Sequence, residues 1–292
     1  MKIAVLADIH SNHIALLTAV DHITNWKPDF VVVVGDLINR GPDPLKCINL
    51  IKSFEKSENW IVFRGNHEDY VVENYDSKNN FTEFELDVHQ PSLWTAKQIG
   101  LELNYIRQLK TEFILTGPDG RKLHFVHGST ISNRDGIYPD TSDIELEKKI
   151  FGNTSNIIDK VAPAVFCVGH THRPLRRFYK NCMVINAGSI GLPFDGDNRL
   201  CYAQLIWDDR EQQWHSRIIR LTYDLERAEN RFYTTGYLDK AGPLSRIVLT
   251  ELRTAQSLLY YWAENYRQSV FKGLLPIEES VNMFLEKYVG EI

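Results

Sequence analysis

Short apolar runs rich in β-branched residues recur along the chain: Ile3–Ala7, Phe30–Val34, Trp60–Phe63, Leu123–Val126, Ala164–Val168 and Met183–Ile185. Each ends in polar text that often holds a glycine. Runs this short, with no polar alternation, predict strands buried on both faces. Segments with helical spacing lie between several of them. Ile14–Thr24 sets Ile14, Leu17, Val20 and Ile23 on one stripe, and Pro44–Phe54 follows a turn containing Gly41 and Pro42. Leu93–Leu109 and Asp143–Phe151 also read as helices, while the polar, acidic stretch Tyr75–Pro91 reads as an insertion suited to the rim of a site. Strand–helix alternation predicts an α/β protein with a largely central sheet.

The last third has a different texture. Tyr202–Trp207 and Trp214–Leu221 flank Asp208-Asp209-Arg210-Glu211, the pattern of an antiparallel hairpin. From Asp224 onward the spacing is helical, over Asp224–Phe232, Leu244–Val270 and Ile277–Val289. No linker rich in Gly, Ser or Pro intervenes, so residues 1–223 are expected as one domain and 224–292 as a helical extension packed on it. The aromatic cluster Tyr260-Tyr261-Trp262 with Tyr266 falls in this helical text and is expected to serve helix packing.

Composition narrows the class. The 292 residues carry 33 Lys and Arg against 38 Asp and Glu, a formal charge of −5. An acidic chain without a basic stripe and interleaved aromatics argues against a nuclease or any nucleic-acid partner. No apolar stretch reaches the roughly 20 residues of a membrane span. The opening apolar run is too short for a signal-peptide core. Four scattered cysteines, Cys47, Cys167, Cys182 and Cys201, form no CxxC pair and are expected to be reduced, mostly buried thiols, which places the protein in the cytoplasm.

The chemistry is concentrated just after the strands. The first run ends in Asp8-Ile9-His10, the second in Gly35-Asp36, and the third in Gly65-Asn66-His67-Glu68. The next two end in His127-Gly128 and Gly169-His170-Thr171-His172. Ligands of open α/β sheets bind outside the carboxyl ends of strands. Seven metal-competent side chains, Asp8, His10, Asp36, Asn66, His127, His170 and His172, are therefore expected to converge in one crevice. Carboxylate, imidazole and amide oxygen without thiolate suit Mn, Fe or Zn. The remaining histidines, His13, His22, His89, His124 and His215, have no such company.

The ordered set Asp-x-His, Gly-Asp, Gly-Asn-His-Glu, His-Gly and Gly-His-x-His resembles the calcineurin-like metallophosphoesterase superfamily over roughly residues 1–223. Asn186-Ala187-Gly188-Ser189-Ile190-Gly191 resembles the text that follows the last metal motif in bacterial members. The resemblance implies a two-sheet sandwich flanked by helices, a four-layer fold, with a dinuclear metal centre at its edge. It implies Asp8, His10 and His172 on one metal, Asn66, His127 and His170 on the other, and Asp36 bridging both. A hydroxide bridging the two metals would be the nucleophile. His67 would be the general acid or leaving-group stabiliser. Where the Ser/Thr phosphatase branch has Gly-Asp-x-x-Asp-Arg-Gly, this chain reads Gly35-Asp36-Leu37-Ile38-Asn39-Arg40-Gly41. Asn39 can orient the imidazole of His67 but brings no charge to it.

Arg40, a guanidinium close in sequence to the bridging ligand, suits bidentate phosphate binding. Arg64, Arg173, Arg176 and Arg177 read as solvated or structural, and Asp195-Gly196-Asp197 as a turn. Gly35–Asp43 resembles the bacterial diadenosine tetraphosphatase and phosphatase branch. The expectation is a dinuclear metal-dependent phosphoesterase acting on small phosphate esters or anhydrides, nucleotides and dinucleoside polyphosphates included. A Ser/Thr phosphoprotein phosphatase is the alternative. A non-catalytic protein-binding scaffold fits poorly, because all seven ligand positions are filled.

Overall fold

In the computed structural model, which describes residues 1–56, 59–152 and 162–289, the chain runs as follows. β1 (Lys2–Leu6), α1 (His13–Trp26), β2 (Phe30–Val34), α2 (Pro44–Glu55) and β3 (Trp60–Phe63) form the first strand–helix alternation. Then come α3 (Asn66–Ser77), α4 (Glu83–Ile99), α5 (Leu103–Gln108), β4 (Glu112–Thr116), β5 (Lys122–Val126) and α6 (Asp143–Phe151). β6 (Val165–Val168), β7 (Leu175–Tyr179), β8 (Cys182–Asn186), β9 (Leu200–Asp208) and β10 (Gln213–Leu221) complete the strands. Five helices close the chain: α7 (Leu225–Thr234), α8 (Tyr237–Lys240), α9 (Leu244–Thr254), α10 (Leu258–Phe271) and α11 (Ile277–Val289).

The strands make two mixed five-stranded sheets, ordered β10-β9-β1-β2-β3 and β4-β5-β6-β8-β7. The continuous apolar runs are explained by what covers each face. Ile3, Val5, Val32 and Val34 point to the second sheet and meet Leu123, Phe125, Val165, Cys167 and Ile185. The alternate residues Ala4, Leu6, Val31 and Val33 point outward onto Leu16, Ala19 and Ile23 of α1 and Ile48 and Ile51 of α2. On the far side, Phe166, Val168 and Val184 pack under Leu146 and Ile150 of α6. Helix, sheet, sheet, helix is the expected four-layer sandwich, and it buries every central strand twice. All four cysteines are buried and free. No helix among the described residues is long and apolar enough to cross a membrane.

Several local expectations need correction. Two edge strands, β4 and β7, had no clear pattern, because an edge strand with a wet face tolerates text such as Leu-Arg-Arg-Phe-Tyr. α3 was also missed. Tyr75–Pro91 is largely helical: α3 runs to Ser77, and Thr82 and Glu85 form a capping box that opens α4 eight residues before Pro91 is passed. The helix expected over Leu93–Leu109 thus starts at Glu83 and breaks at Gly100, whose φ is +54°. The helix expected over Leu244–Val270 breaks at Ala255, in the left-handed region at φ +52°.

The C-terminal helices share the core. Ile14, Trp94, Leu192 and Phe194 pack in one cluster with Phe232, Tyr237, Val248, Leu249 and Leu252. A bidentate ion pair ties α7 to the β2–α2 loop, with Arg231 Nε and Nη2 each 2.7 Å from an Asp43 oxygen. Residues 290–292 of the expected extension lie outside the described residues.

Candidate metal centre and active site

The carboxyl ends of β1, β2, β3, β5 and β6 meet at one edge of the sandwich. Their loops are stitched together by backbone bonds: the Asp8 N–H donates to Gly35 O (3.2 Å), His10 N–H to Asp36 O (2.9 Å), and Gly169 N–H to His127 O (2.9 Å). Chain crossings this close need glycine at two points. A Cβ on Gly35 would sit 2.6 Å from His127 Nδ1, and one on Gly65 would sit 2.3 Å from Asp36 Oδ1. The backbone is also strained here. Of the twelve non-glycine residues with positive φ among the described residues, eight are Asp8, His10, Ser11, Asp36, Asn39, Arg40, His170 and His172. Strain of this kind persists where surrounding structure over-determines it.

All seven expected ligand side chains converge. Asp8, His10, Asp36 and His172 bring their donor atoms within 4.8 Å of one another, and so do Asp36, His127 and His170. Asp36 belongs to both groups. Asn66 joins the second, with Oδ1 2.9 Å from His127 Nε2 and 2.8 Å from His170 Nδ1. Four of the donors, His127, His172, Asp8 and Asp36, are aimed by a second contact of the kind that orients metal ligands. His127 Nδ1 faces Val34 O at 2.7 Å, and His172 Nδ1 faces Leu192 O. Donation to those carbonyls turns the Nε2 lone pairs of both rings inward. Asp8 Oδ2 accepts from the His170 N–H (2.9 Å), leaving Oδ1 buried with no hydrogen-bond partner. Asp36 Oδ1 accepts from the His67 N–H (2.8 Å), while Oδ2 lies 3.2 Å from His127 Nε2 and 3.6 Å from His10 Nε2.

The donor set fits cations. His10 Nε2 and His172 Nε2 are 3.0 Å apart, close enough to share one proton or to be bridged by one cation. The field agrees. Burial disfavours a charged His127, yet Asp36 and then Asp8 overcome it and push its pKa up to about 10. Burial also opposes ionisation of Asp36, but His127, His67 and His10 hold it well below the usual carboxylate range. A field that holds a proton on a buried imidazole attracts a metal ion by the same physics.

Residues 1–199 match the sequence profile of the calcineurin-like phosphoesterases. The chain belongs to that family. An uncharacterized protein of Methanocaldococcus jannaschii is 28% identical over 242 residues, covering 77% of this chain and 89% of that protein. A symmetrical bis(5'-nucleosyl)-tetraphosphatase of Buchnera aphidicola is 30% identical over 164 residues, 55% of this chain and 57% of that one. In fold, the chain is similar to a hypothetical protein from Pyrococcus horikoshii (TM-score 0.70, 21% identity, 88% and 99% covered). It is also similar to a metallophosphoesterase from Sphaerobacter thermophilus (TM-score 0.64, 22% identity, 87% and 99% covered). The family is one of metal-dependent hydrolases, and the buried Asp/His cluster is where this phosphoesterase could hold its metals.

One organising residue carried no sequence expectation. Glu68 is fully buried, and its carboxylate accepts three backbone N–H bonds, from Asp36 (2.8 Å), Gly65 (2.7 Å) and Ile38 (3.1 Å). It reaches back to the N-terminus of α3, half of a capping box, and so locks the β2 and β3 loops together. Burial and then the neighbouring Asp36 charge push its pKa up to about 7, against the three N–H donors. A Glu in the first turn of a helix was the available signal. The segment Asn186–Gly191 performs a similar task. Asn186 Nδ2 donates to Gly169 O (2.7 Å), Ser189 Oγ to Asp8 O (2.7 Å), and the Gly191 N–H to Asp8 O (3.0 Å).

His67 and Arg40 line the cavity above the cluster, about 680 Å³ in volume. Asn39 Oδ1 accepts from the Arg40 N–H (3.0 Å), which turns its NH2 toward His67 Nδ1 at 3.0 Å. The Nδ1 atom of His67 is therefore the acceptor, and its proton sits on Nε2. Burial lowers the His67 pKa well below the ordinary value; Asp36 opposes the shift, while Arg40, His172 and His127 add to it. Arg40 does not pair with Asp43, which Arg231 occupies; Arg40 Nη1 instead lies 3.9 Å from Glu251 Oε2 on α9.

The other arginines divide. Arg64 pairs with Asp69 at 3.1 Å, Arg177 pairs with Asp143, and Arg176 lies over Phe178. Arg173 lines the cavity, with Nε donating to Phe194 O at 3.0 Å. Asp195 and Asp197 of the suspected turn pair with Arg220 and Arg199. His124 bonds Glu112 at 2.7 Å, away from the cluster. The aromatic cluster splits, correcting the packing expectation for two of its members. Trp262 is buried, donating to Ser280 Oγ at 3.1 Å, whereas Tyr260 and Tyr261 are exposed and line the cavity.

Proposed function

We propose that this phosphoesterase hydrolyses phosphate esters or anhydrides of small molecules, nucleotides and dinucleoside polyphosphates included. The observation that carries the reading is the pair of buried donor groups sharing Asp36 beneath a cavity that also holds Arg40, Arg134 and Arg173. Asp8, His10 and His172 would hold one metal and Asn66, His127 and His170 the other, with Asp36 between them. When bound, the metals supply a water of lowered pKa and neutralise charge on the reacting phosphoryl group. Mn suits the donor set, with Fe or Zn as alternatives. Arg40 takes non-bridging phosphoryl oxygens through its guanidinium. His67 presents Nε2–H to a phosphoryl or departing oxygen. The cavity favours a small substrate, since α10 walls it on one side. Similarity to the Buchnera tetraphosphatase supports the nucleotide preference. Free, buried cysteines suit a cytoplasmic location.

A Ser/Thr phosphoprotein phosphatase is the less favoured reading, because Asn39 stands where that branch has an aspartate. The test is metal analysis of the purified protein, followed by phosphomonoesters, phosphodiesters, dinucleotides and a phosphoserine peptide assayed with added Mn²⁺. Turnover of nucleotides or dinucleotides is expected. Preference for the peptide would reverse the order of the two readings, and no turnover of any substrate with both sites filled would end the enzymatic one.

A further inference from the structure

The cavity has a second half that the phosphate chemistry does not use. Beyond the metal cluster its lining includes Tyr70, Tyr138, Tyr260 and Tyr261. Tyr138, Tyr260 and Tyr261 are 43%, 58% and 44% exposed. They come from separate places: Tyr138 precedes α6, and the other two are on α10. Isolated exposed tyrosines are ordinary, but several converging on one concave site above a charged floor are not.

The rings are held in place. Tyr260 lies beside Glu264 one turn along α10 and meets Tyr261 edge-on, centroids 5.7 Å apart at 76°. Tyr261 is nearly parallel to Tyr288 of α11 at 6.4 Å. The N-terminus of α10 is fixed as well. Glu251 Oε1 accepts from the Leu258 and Leu259 N–H groups at 2.8 and 2.9 Å, and Oε2 of the same buried carboxylate is the atom 3.9 Å from Arg40. One side chain therefore joins the helix carrying the tyrosines to the guanidinium facing the phosphate. Among its described lining residues the cavity has Arg40, Arg134 and Arg173 against the carboxylate of Asp36, although Arg134 is paired with Glu73 at 2.9 Å just outside it.

We infer that Tyr260 and Tyr261, with Tyr138 of the same lining, form a subsite for the planar base of a nucleotide whose phosphate sits over the Asp/His cluster. This rests on the phosphoesterase reading and extends it to the leaving-group side. A base has two apolar faces and a polar edge; it stacks on tyrosine rings whose hydroxyls reach its edge, and its phosphates meet the arginines. A volume of about 680 Å³ is ample for one nucleotide, within the range of small-ligand sites.

The test compares adenosine 5'-monophosphate with ribose 5-phosphate, which carry the same phosphate and differ by the base. Calorimetric titration of the Mn²⁺-loaded full chain with the methylene phosphonate analogues of both ligands, which lack the scissile ester bond, reads binding separately from turnover. The wild type should bind the nucleotide about 5- to 150-fold more tightly, the usual worth of one stacked base. The double variant Tyr260→Ala, Tyr261→Ala should lose most of that advantage while ribose 5-phosphate affinity changes less than about threefold. Tyr260→Phe, Tyr261→Phe should keep most of it, since stacking needs the ring. Thermal unfolding of each variant checks that the fold stands. Equal affinity for the two ligands in the wild type, or full nucleotide affinity in the alanine variant, overturns the subsite. A phosphotyrosine peptide that binds with the same dependence on Tyr260 and Tyr261, and more tightly than the nucleotide, overturns it in favour of a protein substrate. Base-selective binding without hydrolysis of any phosphate compound would instead leave the subsite standing and remove the catalytic reading.

Discussion

Asn39 decides what kind of catalyst His67 can be. Its amide is oriented by the Arg40 N–H and gives a hydrogen to His67 Nδ1 at 3.0 Å, so the imidazole is neutral with its proton on Nε2. Burial first, then Arg40, His172 and His127, keep it so. A neutral imidazole donates a hydrogen bond well but gives up a proton poorly. Its loss should therefore cost one hydrogen bond to a charged group, about 1.5–3 kcal/mol or roughly 10- to 150-fold. His67→Ala should slow nitrophenyl and alkyl phosphate esters by similar factors in kcat/KM, with metal content unchanged. Asn39→Asp alters the premise. A carboxylate beside the ring raises the His67 pKa by favouring the charged form. That populates the imidazolium, which can protonate an alkoxide. The variant should gain roughly 10- to 100-fold on the alkyl ester relative to the nitrophenyl ester. The gain should fade as pH rises through the new pKa, because the raised group loses its proton there, and it should vanish in Asn39→Asp, His67→Ala. Steady-state kinetics of both esters across pH measure all of this. A wild-type His67→Ala loss at least a hundredfold greater on the alkyl ester would refute the hydrogen-bond reading. So would an unchanged ester ratio in Asn39→Asp.

Asp36→Asn should weaken both metal sites together, and His172→Ala mainly one; native mass spectrometry of metal stoichiometry checks this, and two tightly held metals in Asp36→Asn would contradict the shared position. Arg40→Ala should lower kcat/KM about 10- to 150-fold with metals retained, as expected for lost charge-assisted bonds, and Arg40→Lys should restore only part. Asp43→Ala should cost about 2–3 kcal/mol in chemical denaturation, since it strands Arg231 and leaves α7 without its tie to the β2–α2 loop. Burial works against ionised Asp43, but Arg231 and Lys46 depress its pKa below the ordinary 3.8. Its contribution is thus complete above that value and lost as pH falls through the folded one, so wild type and variant should converge in stability in acid.

The sequence carried the centre of the fold and the convergence of the buried Asp/His cluster for a local reason. A strand covered on both faces must be apolar throughout, and the polar residues at its end stand out against it. Asp8, Asp36, Asn66, His127 and His170 were all legible in that way. Edge strands β4 and β7 were not, because a wet face removes the apolar signal. The breaks at Gly100 and Ala255 depend on left-handed backbone, and alanine gives no warning of it. Glu68 sits inside the Gly-Asn-His-Glu motif, yet its three backbone N–H bonds join segments some thirty residues apart. The positive φ angles at Asp8, His10, Asp36, His170 and His172 likewise follow from the crossing of loops, not from the preference of any one residue.

The larger gap concerns the C-terminal helices. Helical periodicity shows that one face of such a segment is apolar, and Trp262 obeys that rule. It does not show what the other face meets. Tyr260 and Tyr261 directly precede the buried Trp262 in sequence and leave the helix away from it, into the cavity of a site whose metal-ligand motifs all lie before residue 173. Glu251 makes the same point energetically. Its carboxylate is fully buried, one oxygen is satisfied by the Leu258 and Leu259 N–H groups, and the other has no hydrogen-bond partner and lies 3.9 Å from Arg40. Burial pushes its pKa up, and Arg40 is the first of the groups that oppose the shift. A buried carboxylate left that way is costly unless a cation stays near it. The cost is tolerable because the same residue opens α10 and orients a guanidinium that would otherwise swing into solvent. Glu251→Gln keeps an oxygen for the two N–H donors and removes the charge. It should therefore leave α10 in place while loosening Arg40, raising KM for phosphate substrates with thermal stability unchanged or improved. A Glu251→Gln protein with wild-type KM would show that Arg40 is held by the β2–α2 loop alone.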